Sequence, residues 1–311
     1  MKVTRRCFLG GMAAMPLLAG PFSGLCESGD RIPVLFDTDI GTDIDDALTV
    51  VYLLGQKRCE LLGVTTCYGD TIARARLVSA IMTAAKREVP VHPGSPELVG
   101  GKSVSGKVPQ AEVLARWPHR EEFDPDSAVE FMYQTIKARP GEVTLLATGP
   151  LTNVARLFQR HPETPKLLKA VTLMNGSFRL MLPEYNAKLD TEATRIVYET
   201  AAPGGRVIDF DTSLQCRMGK KEARERIRGG AFGPVADMLE VWFKTLPLVI
   251  FYDSIAAASI FEPDMVRFKT AAVKLRGNLT IPSFGRGSWH ISVDVDQRRF
   301  KDHYFKTVAG V

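Results

Sequence analysis

The chain has 311 residues, a net charge of +5, 45% hydrophobic residues and 24% charged residues. That length can bury the core of one large α/β domain. The mild charge, with no basic block interleaved with aromatics, argues against a nucleic-acid partner. Cysteines at irregular spacing do not form a disulfide framework, and Cys67, in an apolar stretch, is expected to be a small core residue.

Residues 1–29 read as an export signal. Lys2, Arg5 and Arg6 form the charged region, and Phe8 to Gly20 form an apolar region too short to span a bilayer. Arg5-Arg6 followed by Cys7, Phe8 and Leu9 is similar to a twin-arginine signal, whose cargo is exported after folding. A periplasmic location and cleavage between Ala19 and Asp30 are expected. Cys26 raises the question of lipid anchoring, against which Leu25 is a poor match to a lipoprotein cleavage site. No later stretch is long and apolar enough to be a transmembrane helix. The catalytic domain is expected over residues 30–311.

Strand-like and helix-like stretches then alternate. Ile32–Phe36 is a short apolar run, followed by an aspartate-rich loop and a helical pattern over Ala47–Leu54. Leu61–Tyr68 is β-rich. Asp70 can cap a helix over 71–87, where Ile72, Ala75, Val78, Ile81 and Met82 recur near helical spacing. Val143–Ala147, Ala170–Met174 and Arg206–Phe210 complete five strands, and a helix starts at Thr152. Such alternation predicts a largely parallel sheet covered on both faces, with the binding crevice at the carboxyl ends of the strands. The stretch 97–125, broken by Gly100, Gly101, Gly106, Pro109, Pro118 and Pro125, reads as a long loop and a candidate active-site flap. Residues 268–298 read as further strands of the same domain.

The aspartate loop carries the chemistry. Asp37, Asp39, Asp43, Asp45 and Asp46 fall within ten residues, directly after a buried run. Their repulsion needs something to cancel it, and a divalent cation with oxygen ligands, Ca²⁺ or Mg²⁺, is the simplest candidate. A cation there can also activate a water molecule. Three further places join it: the turn Thr148–Asn153, the segment Glu184-Tyr185-Asn186 with Asp190, and Tyr252-Asp253 after an apolar run. A strand-end carboxylate, a helix-start carboxylate pair, a turn carbonyl and a distant aspartate together suit one cation.

This set resembles the nucleoside hydrolases, the inosine–uridine-preferring ribohydrolases, whose hallmark has the form D-x-D-P-G-x-D-D-A. Here it runs from Asp37 to Ala47, with Ile40 in place of the proline and two residues added before Asp45-Asp46. The resemblance continues through GVTTCYGD at 63–70, LLATGPLTN at 145–153, LMNGS at 173–177, EYNAKLDTEA at 184–193 and the region of Asp253. It implies a single α/β domain with a mostly parallel central sheet and helices on both faces. It also implies cleavage of the N-glycosidic bond of a ribonucleoside or related N-riboside, as in purine and pyrimidine salvage.

By the same resemblance, Ca²⁺ would be held by Asp39, Asp46, the Thr148 carbonyl and Asp253, with Asp39 as general base. Asp45 and Asn186 would hold ribose hydroxyls, and Glu184 would reach the 5′-hydroxyl region. Asp37 would support the ligands, and Tyr185 would pack beside the sugar. Asp70 stands where the family usually has an asparagine, and would bind a ribose hydroxyl or cap its helix. Tyr252 stands where many purine-active members have a histidine, facing the leaving base. The segment between Met174 and Glu184 is shorter than usual, and a sugar-binding asparagine of the family has only Asn175 as a loose counterpart.

Plainer roles are expected elsewhere. Asp43 is expected to face solvent, Thr65 and Thr66 to serve their strand, and Asn153 to shape a turn. Trp242, Phe243 and Phe251 are expected in the core, Phe251 with some reach toward the base pocket. The five histidines lack metal-ligand spacing, although His119 in the long loop is placed to meet substrate. Three other functions compete. A haloacid-dehalogenase-type phosphatase also begins with a strand and Asp-x-Asp, but Gly41 stands where that motif wants Thr or Val. A non-catalytic periplasmic nucleoside- or sugar-binding protein would not need the metal set. An EF-hand lacks its alternating ligands and closing glutamate. The expected partner is a small nucleoside; a homo-oligomer is compatible with the sequence.

Overall fold

Val34, Leu35 and Phe36 show why the first strand is apolar on both sides. Val34 and Phe36 enter one buried cluster and Leu35 enters another, so layers of helix cover both faces. The computed structural model describes residues 31–311 except 102, 103, 105 and 201. The export-signal reading and Cys26 lie outside the described residues.

In chain order the strands are β1 (Ile32–Thr38), β2 (Cys59–Thr66), β3 (Val91–Pro93), β4 (Thr144–Ala147), β5 (Ala170–Met174), β6 (Arg206–Ile208), β7 (Arg217–Gly219), β8 (Leu248–Ile250), β9 (Val266–Arg276), β10 (Leu279–Phe284) and β11 (Trp289–Val295). The helices begin with α1 (Asp45–Gly55), α2 (Thr71–Ala84), α3 (Ala128–Ala138), α4 (Thr152–Arg160), α5 (Thr164–Leu167) and α6 (Tyr185–Leu189). They continue with α7 (Thr191–Glu199), α8 (Phe210–Ser213), α9 (Lys220–Arg226), α10 (Phe232–Trp242), α11 (Tyr252–Phe261) and α12 (Gln297–Val308).

Nine strands form one sheet in the order β10-β9-β11-β6-β5-β4-β1-β2-β3. From β3 to β11 neighbouring strands are parallel; β9 and β10 add antiparallel pairs at one edge. The chain builds outward from β1 through β2 to β3, then returns to β4 on the other side and builds outward through β5 and β6. The boundary between β1 and β4 is therefore a topological switch point, where a crevice opens at the carboxyl ends. Asp39 follows β1 and Thr148 follows β4, so the two flank that crevice.

The five expected strands are all present, within a few residues at their ends. Two features departed from expectation. β3, a three-residue strand that follows Pro90 and ends on Pro93, lies at the sheet edge, where proline is tolerated. The segment 97–125 contains a 3₁₀ turn over Pro109–Ala115, and none of its described residues lines the crevice. It braces the aspartate loop from outside. Buried Gln110 donates its Nε2 hydrogens to the carbonyls of Thr42 (3.3 Å) and Asp43 (2.9 Å), and its own N–H to the Gly41 carbonyl (3.2 Å). Its described residues thus support the loop and do not cover the cavity.

Arg74, on α2, is fully buried and is the hub of that loop. Nε donates to the Tyr68 carbonyl (2.8 Å), and Nη1 donates to the carbonyls of Ile40 (2.7 Å) and Asp39. These charge-assisted bonds fix three otherwise unpaired carbonyls in place. Replacing the donors with a thioether of similar length leaves those carbonyls buried and unsatisfied. Arg74→Met is expected to lower unfolding free energy by about 3–5 kcal/mol; urea denaturation of both proteins measures it, and a loss below about 1 kcal/mol would deny Arg74 this role.

Candidate active site

The aspartate loop begins where β1 ends. Asp37 is still in the strand and fully buried; its Oδ1 accepts from Thr65 Oγ1 (2.6 Å) and Asn153 Nδ2 (2.8 Å). Burial pushes its carboxyl up to about 6. The next residue, Thr38, donates its hydroxyl to the Asp46 carboxylate and accepts the Ile40 N–H (3.2 Å). Ile40 and Ile44 are fully buried and anchor the loop in the core. Between them Gly41 adopts φ +111°, and a Cβ there would lie 2.4 Å from Val108 Cγ1. The loop is thus tied on both sides of its polar residues.

Asp45 and Asp46 then open α1, and Asp253 lies in the first turn of α11. The positive ends of two helix dipoles so face one point. Carboxylate oxygens of Asp45, Asp46 and Asp253 all come within 4.8 Å of one another, and all three residues are buried. Asp39 stands beside them on the cavity floor, held close by a second tight contact. A Cβ at Gly149 would lie 2.6 Å from Cys67 Sγ and 3.0 Å from Asp39 Oδ1, so the turn after β4 reaches Asp39 only as glycine.

So many carboxyls cannot all ionise without help. Burial first, and then the charge of Asp46, holds Asp39 well above the usual carboxylate range. Burial, then the charges of Asp43, Asp46 and Asp39, does the same to Asp45; burial, then Asp45, Asp46 and Asp39, does the same to Asp253. Burial also raises Asp46, against the opposing hydrogen bond from Thr38, and pushes Asp43 up to about 7. Arg74 lowers Asp39 less than burial raises it. A cluster of hard oxygen donors left short of positive charge fits a divalent cation such as Ca²⁺ or Mg²⁺.

Above this floor the cavity encloses about 420 Å³. Thr148, Asn186 and Glu184 form one polar shoulder. Asn186 Nδ2 donates to the carbonyls of Thr148 (2.7 Å) and Met174 (3.3 Å), so what it offers a ligand is its Oδ1, an acceptor. Glu184 caps α6: Oε1 accepts the Asn186 N–H and Oε2 accepts those of Gly176 and Ala187, each at 2.9 Å. Tyr252 lies parallel to Phe210, with centroids 5.7 Å apart and planes 14° apart; with Trp242 they make an aromatic wall. Burial, then Asp45, pushes the Tyr252 phenol up, which keeps it a hydrogen-bond donor. Met174, Leu182, Pro183, Tyr185 and Lys188 complete the lining.

Asp39, Asp45, Asp46, Thr148, Glu184, Asn186, Tyr252 and Asp253, all singled out from sequence, therefore line one cavity. The tight carboxylate group contains Asp45 where the sequence reading put Asp39, because Asp45 and Asp46 share one helical turn. The Thr148 carbonyl accepts from the Asn186 amide, and it is the Thr148 hydroxyl that donates to Asp46 Oδ1, at 3.5 Å. Asp70 is a correction: it is exposed, lies outside the cavity, and caps α2 by accepting the Ala73 N–H at 2.9 Å. Asp43 lines the cavity and does not face open solvent, and Trp242 belongs to its wall. Phe251 is fully buried against Phe300 and Tyr304, away from the cavity. His119 Nδ1 donates to the Trp117 carbonyl (2.7 Å) and does not line the cavity. Arg74, Phe210 and Leu182 were missed; the position of Arg74 four residues after Asp70 carries no hint of burial, and aromatic or aliphatic wall residues look like core.

Residues 34–302 match the family model described as inosine-uridine preferring nucleoside hydrolase. The chain is 33% identical over 193 residues to a probable uridine nucleosidase 1 of Oryza sativa, a match covering 58% of this chain and 59% of that protein. It is 27% identical over 269 residues to uridine nucleosidase 1 of Arabidopsis thaliana, covering 79% of each. It is 30% identical over 186 residues to a pyrimidine-specific ribonucleoside hydrolase of Citrobacter koseri, covering 55% of this chain and 58% of that protein. The rice and Citrobacter matches thus span under two thirds of those proteins. Among solved structures, a plant nucleoside hydrolase superposes with TM-score 0.79 at 18% identity, covering 90% of this chain and 100% of that one. A purine-preferring ribonucleoside hydrolase from Gardnerella vaginalis gives TM-score 0.79 at 23% identity, covering 89% and 98%. At such identities the structures establish the fold, and the family model spans most of the chain: this protein belongs to the inosine-uridine preferring nucleoside hydrolase family.

Proposed function

We propose that the chain is an N-ribohydrolase that cleaves a ribonucleoside, or a related N-riboside, to free base and ribose with the aid of Ca²⁺. The observation that carries this reading is the convergence of Asp45, Asp46 and Asp253 at the switch point, with Asp39 beside them. Asp46, Asp253, Asp39 and the Thr148 carbonyl are the proposed ligands, and the geometry adds Asp45 as a further candidate. When bound, such an ion lowers the pKa of a nearby water and helps hold a vicinal diol.

The residues divide the remaining work. Asp39 takes a proton from the water whose oxygen attacks C1′. The C1′–N bond breaks as the C1′–O bond forms, and the leaving base takes the bonding pair and later a proton. Asp45 and the Asn186 Oδ1 accept from the ribose hydroxyls. The floor carboxylates favour the positive charge that builds on the sugar ring. Tyr252 donates a hydrogen bond toward the leaving base, and the aromatic wall holds its flat face. The basic and apolar first residues support delivery to the periplasm by twin-arginine export.

The direct test incubates the protein with a panel of purine and pyrimidine nucleosides, with and without chelator, and measures reducing sugar. Chelator-sensitive release is expected. Tight riboside binding with no sugar released over hours would favour a binding protein, and magnesium-dependent hydrolysis of p-nitrophenyl phosphate would favour a phosphatase. Asp39→Ala is expected to lower kcat by about 10²–10⁴-fold with an unchanged circular dichroism spectrum. Wild-type turnover by that variant would remove Asp39 as the base.

The raised carboxyls also set a pH dependence. An aspartate that holds its proton more tightly folded than unfolded makes the folded state bind more protons, so stability falls as pH rises. Asp37, pushed up to about 6, and Asp43, pushed up to about 7, place that fall between the ordinary value of 3.8 and about 7. Chelator-treated protein should therefore show a Tm that declines across this window. Added calcium should raise Tm more at the upper end than at the lower. An equal calcium effect at both ends would count against a carboxylate cation site.

A further inference from the structure

Asp211 follows Phe210 in α8 and is buried. Its carboxylate reaches across to one stretch of chain, residues 177–180. Oδ1 accepts from Ser177 Oγ (2.8 Å), and Oδ2 accepts the N–H groups of Arg179 (2.7 Å) and Leu180 (3.2 Å). Ser177 Oγ in turn accepts the Leu182 N–H (3.2 Å). Burial opposes the charge on Asp211, but these donors outweigh it and hold the carboxyl below the usual range. Between the anchored residues Met181 takes φ +54°, a backbone state that persists only where the surroundings enforce it.

These bonds join two parts of the cavity lining. Phe210 belongs to the aromatic wall, stacked on Tyr252, and its N–H donates to the Gly176 carbonyl (2.9 Å). Leu182 and Pro183 follow the anchored turn and, with Met174, form an aliphatic wall. On the other side of Phe210, Asp209 caps α8 and accepts from Ser292 Oγ (2.8 Å) on β11. The short α8 is thus fixed to the sheet by one aspartate and to the 176–182 stretch by the next. Glu184 is less dependent on this tie. Besides the Gly176 N–H it accepts those of Asn186 and Ala187, so its place on the polar shoulder persists when the turn loosens.

We propose that Asp211 is a positioning residue for the base half of the substrate. Through Ser177 it locks the turn that carries Leu182 to the turn that presents Phe210, and so keeps the two walls in one arrangement before a nucleoside enters. Walls fixed in advance avoid the cost of ordering their side chains on binding. Asp211 itself does not line the cavity, and its hydrogen bonds do not involve the floor carboxylates, so its effect falls on affinity for the base and not on bond cleavage. The inference rests on the N-ribohydrolase reading.

The test measures kcat and KM for uridine and inosine, together with the competitive inhibition constant of 1,4-anhydroribitol, a ribose ring that carries no base. Asp211→Ala removes every acceptor from the turn. It should raise nucleoside KM by about 10-fold, with kcat and the anhydroribitol constant within about twofold of wild type. Asp211→Asn, whose amide oxygen can still accept the Arg179 and Leu180 N–H groups, should recover most of the lost affinity. Ser177→Ala, which removes only the bridging hydroxyl, should shift KM in the same direction by a smaller factor, and gives the reading if Asp211→Ala melts early. Unchanged nucleoside KM in Asp211→Ala and Ser177→Ala, or equal weakening of nucleoside and anhydroribitol, overturns this inference and leaves the N-ribohydrolase reading standing. A fall in kcat as large as the rise in KM overturns it too, because the tie would then act on the floor. Absence of both turnover and binding of every riboside by the wild-type protein removes the inference and the proposed function together.

Discussion

The site depends on the mutual repulsion of buried carboxylates. Asp39, Asp45, Asp46 and Asp253 are each at most 6% exposed, and the charges of Asp39, Asp45 and Asp46 raise the cost of ionising the groups beside them. Such a cluster survives only because the fold pays for it elsewhere. Arg74, Gln110, Thr38 and the buried Ile40 and Ile44 fix the loop, while two helix starts contribute positive dipole ends. The floor is therefore a stressed arrangement with a charge deficit, and a small hard cation is the chemical species that relieves it.

Topology explains why those residues meet although they lie more than two hundred positions apart. Strand order reverses between β1 and β4, so the loops leaving both strands diverge and leave a gap. α11 arrives from far along the chain and packs beside α1, which brings Asp253 to Asp45 and Asp46. β11, parallel to β6, and the antiparallel pairs it begins with β9 and β10 enlarge the sheet on the far side of β6 from this gap.

Much of this was legible in the residues. Parallel strands buried on both faces appear as continuous apolar runs, which is why Ala170–Met174 was read with its ends correct. The floor was legible because five aspartates after such a run have few stable explanations. What escaped notice shared one property: its role depends on long-range contacts. Arg74 looks like a surface residue of an amphipathic helix until its carbonyl partners are known. Trp242 looks like core because aromatic walls and cores have the same composition. Asp70 was ambiguous between ligand and cap, and its local hydrogen bond to the Ala73 N–H decides for the cap. The stretch 97–125 reads as a long loop and a candidate flap, and its bracing contacts escape that reading because glycine and proline report a lack of regular structure without reporting what the backbone rests against.

The floor and the aliphatic wall come from different parts of the chain. The floor is built from strand ends and helix starts that the core holds rigid, whereas the aliphatic wall hangs on a single turn secured by Asp211 and Ser177. None of the hydrogen bonds that secure this turn involves Asp39, Asp45, Asp46 or Asp253. The architecture is thus modular: the residues that shape one side of the cavity are held separately from the carboxylates of its base.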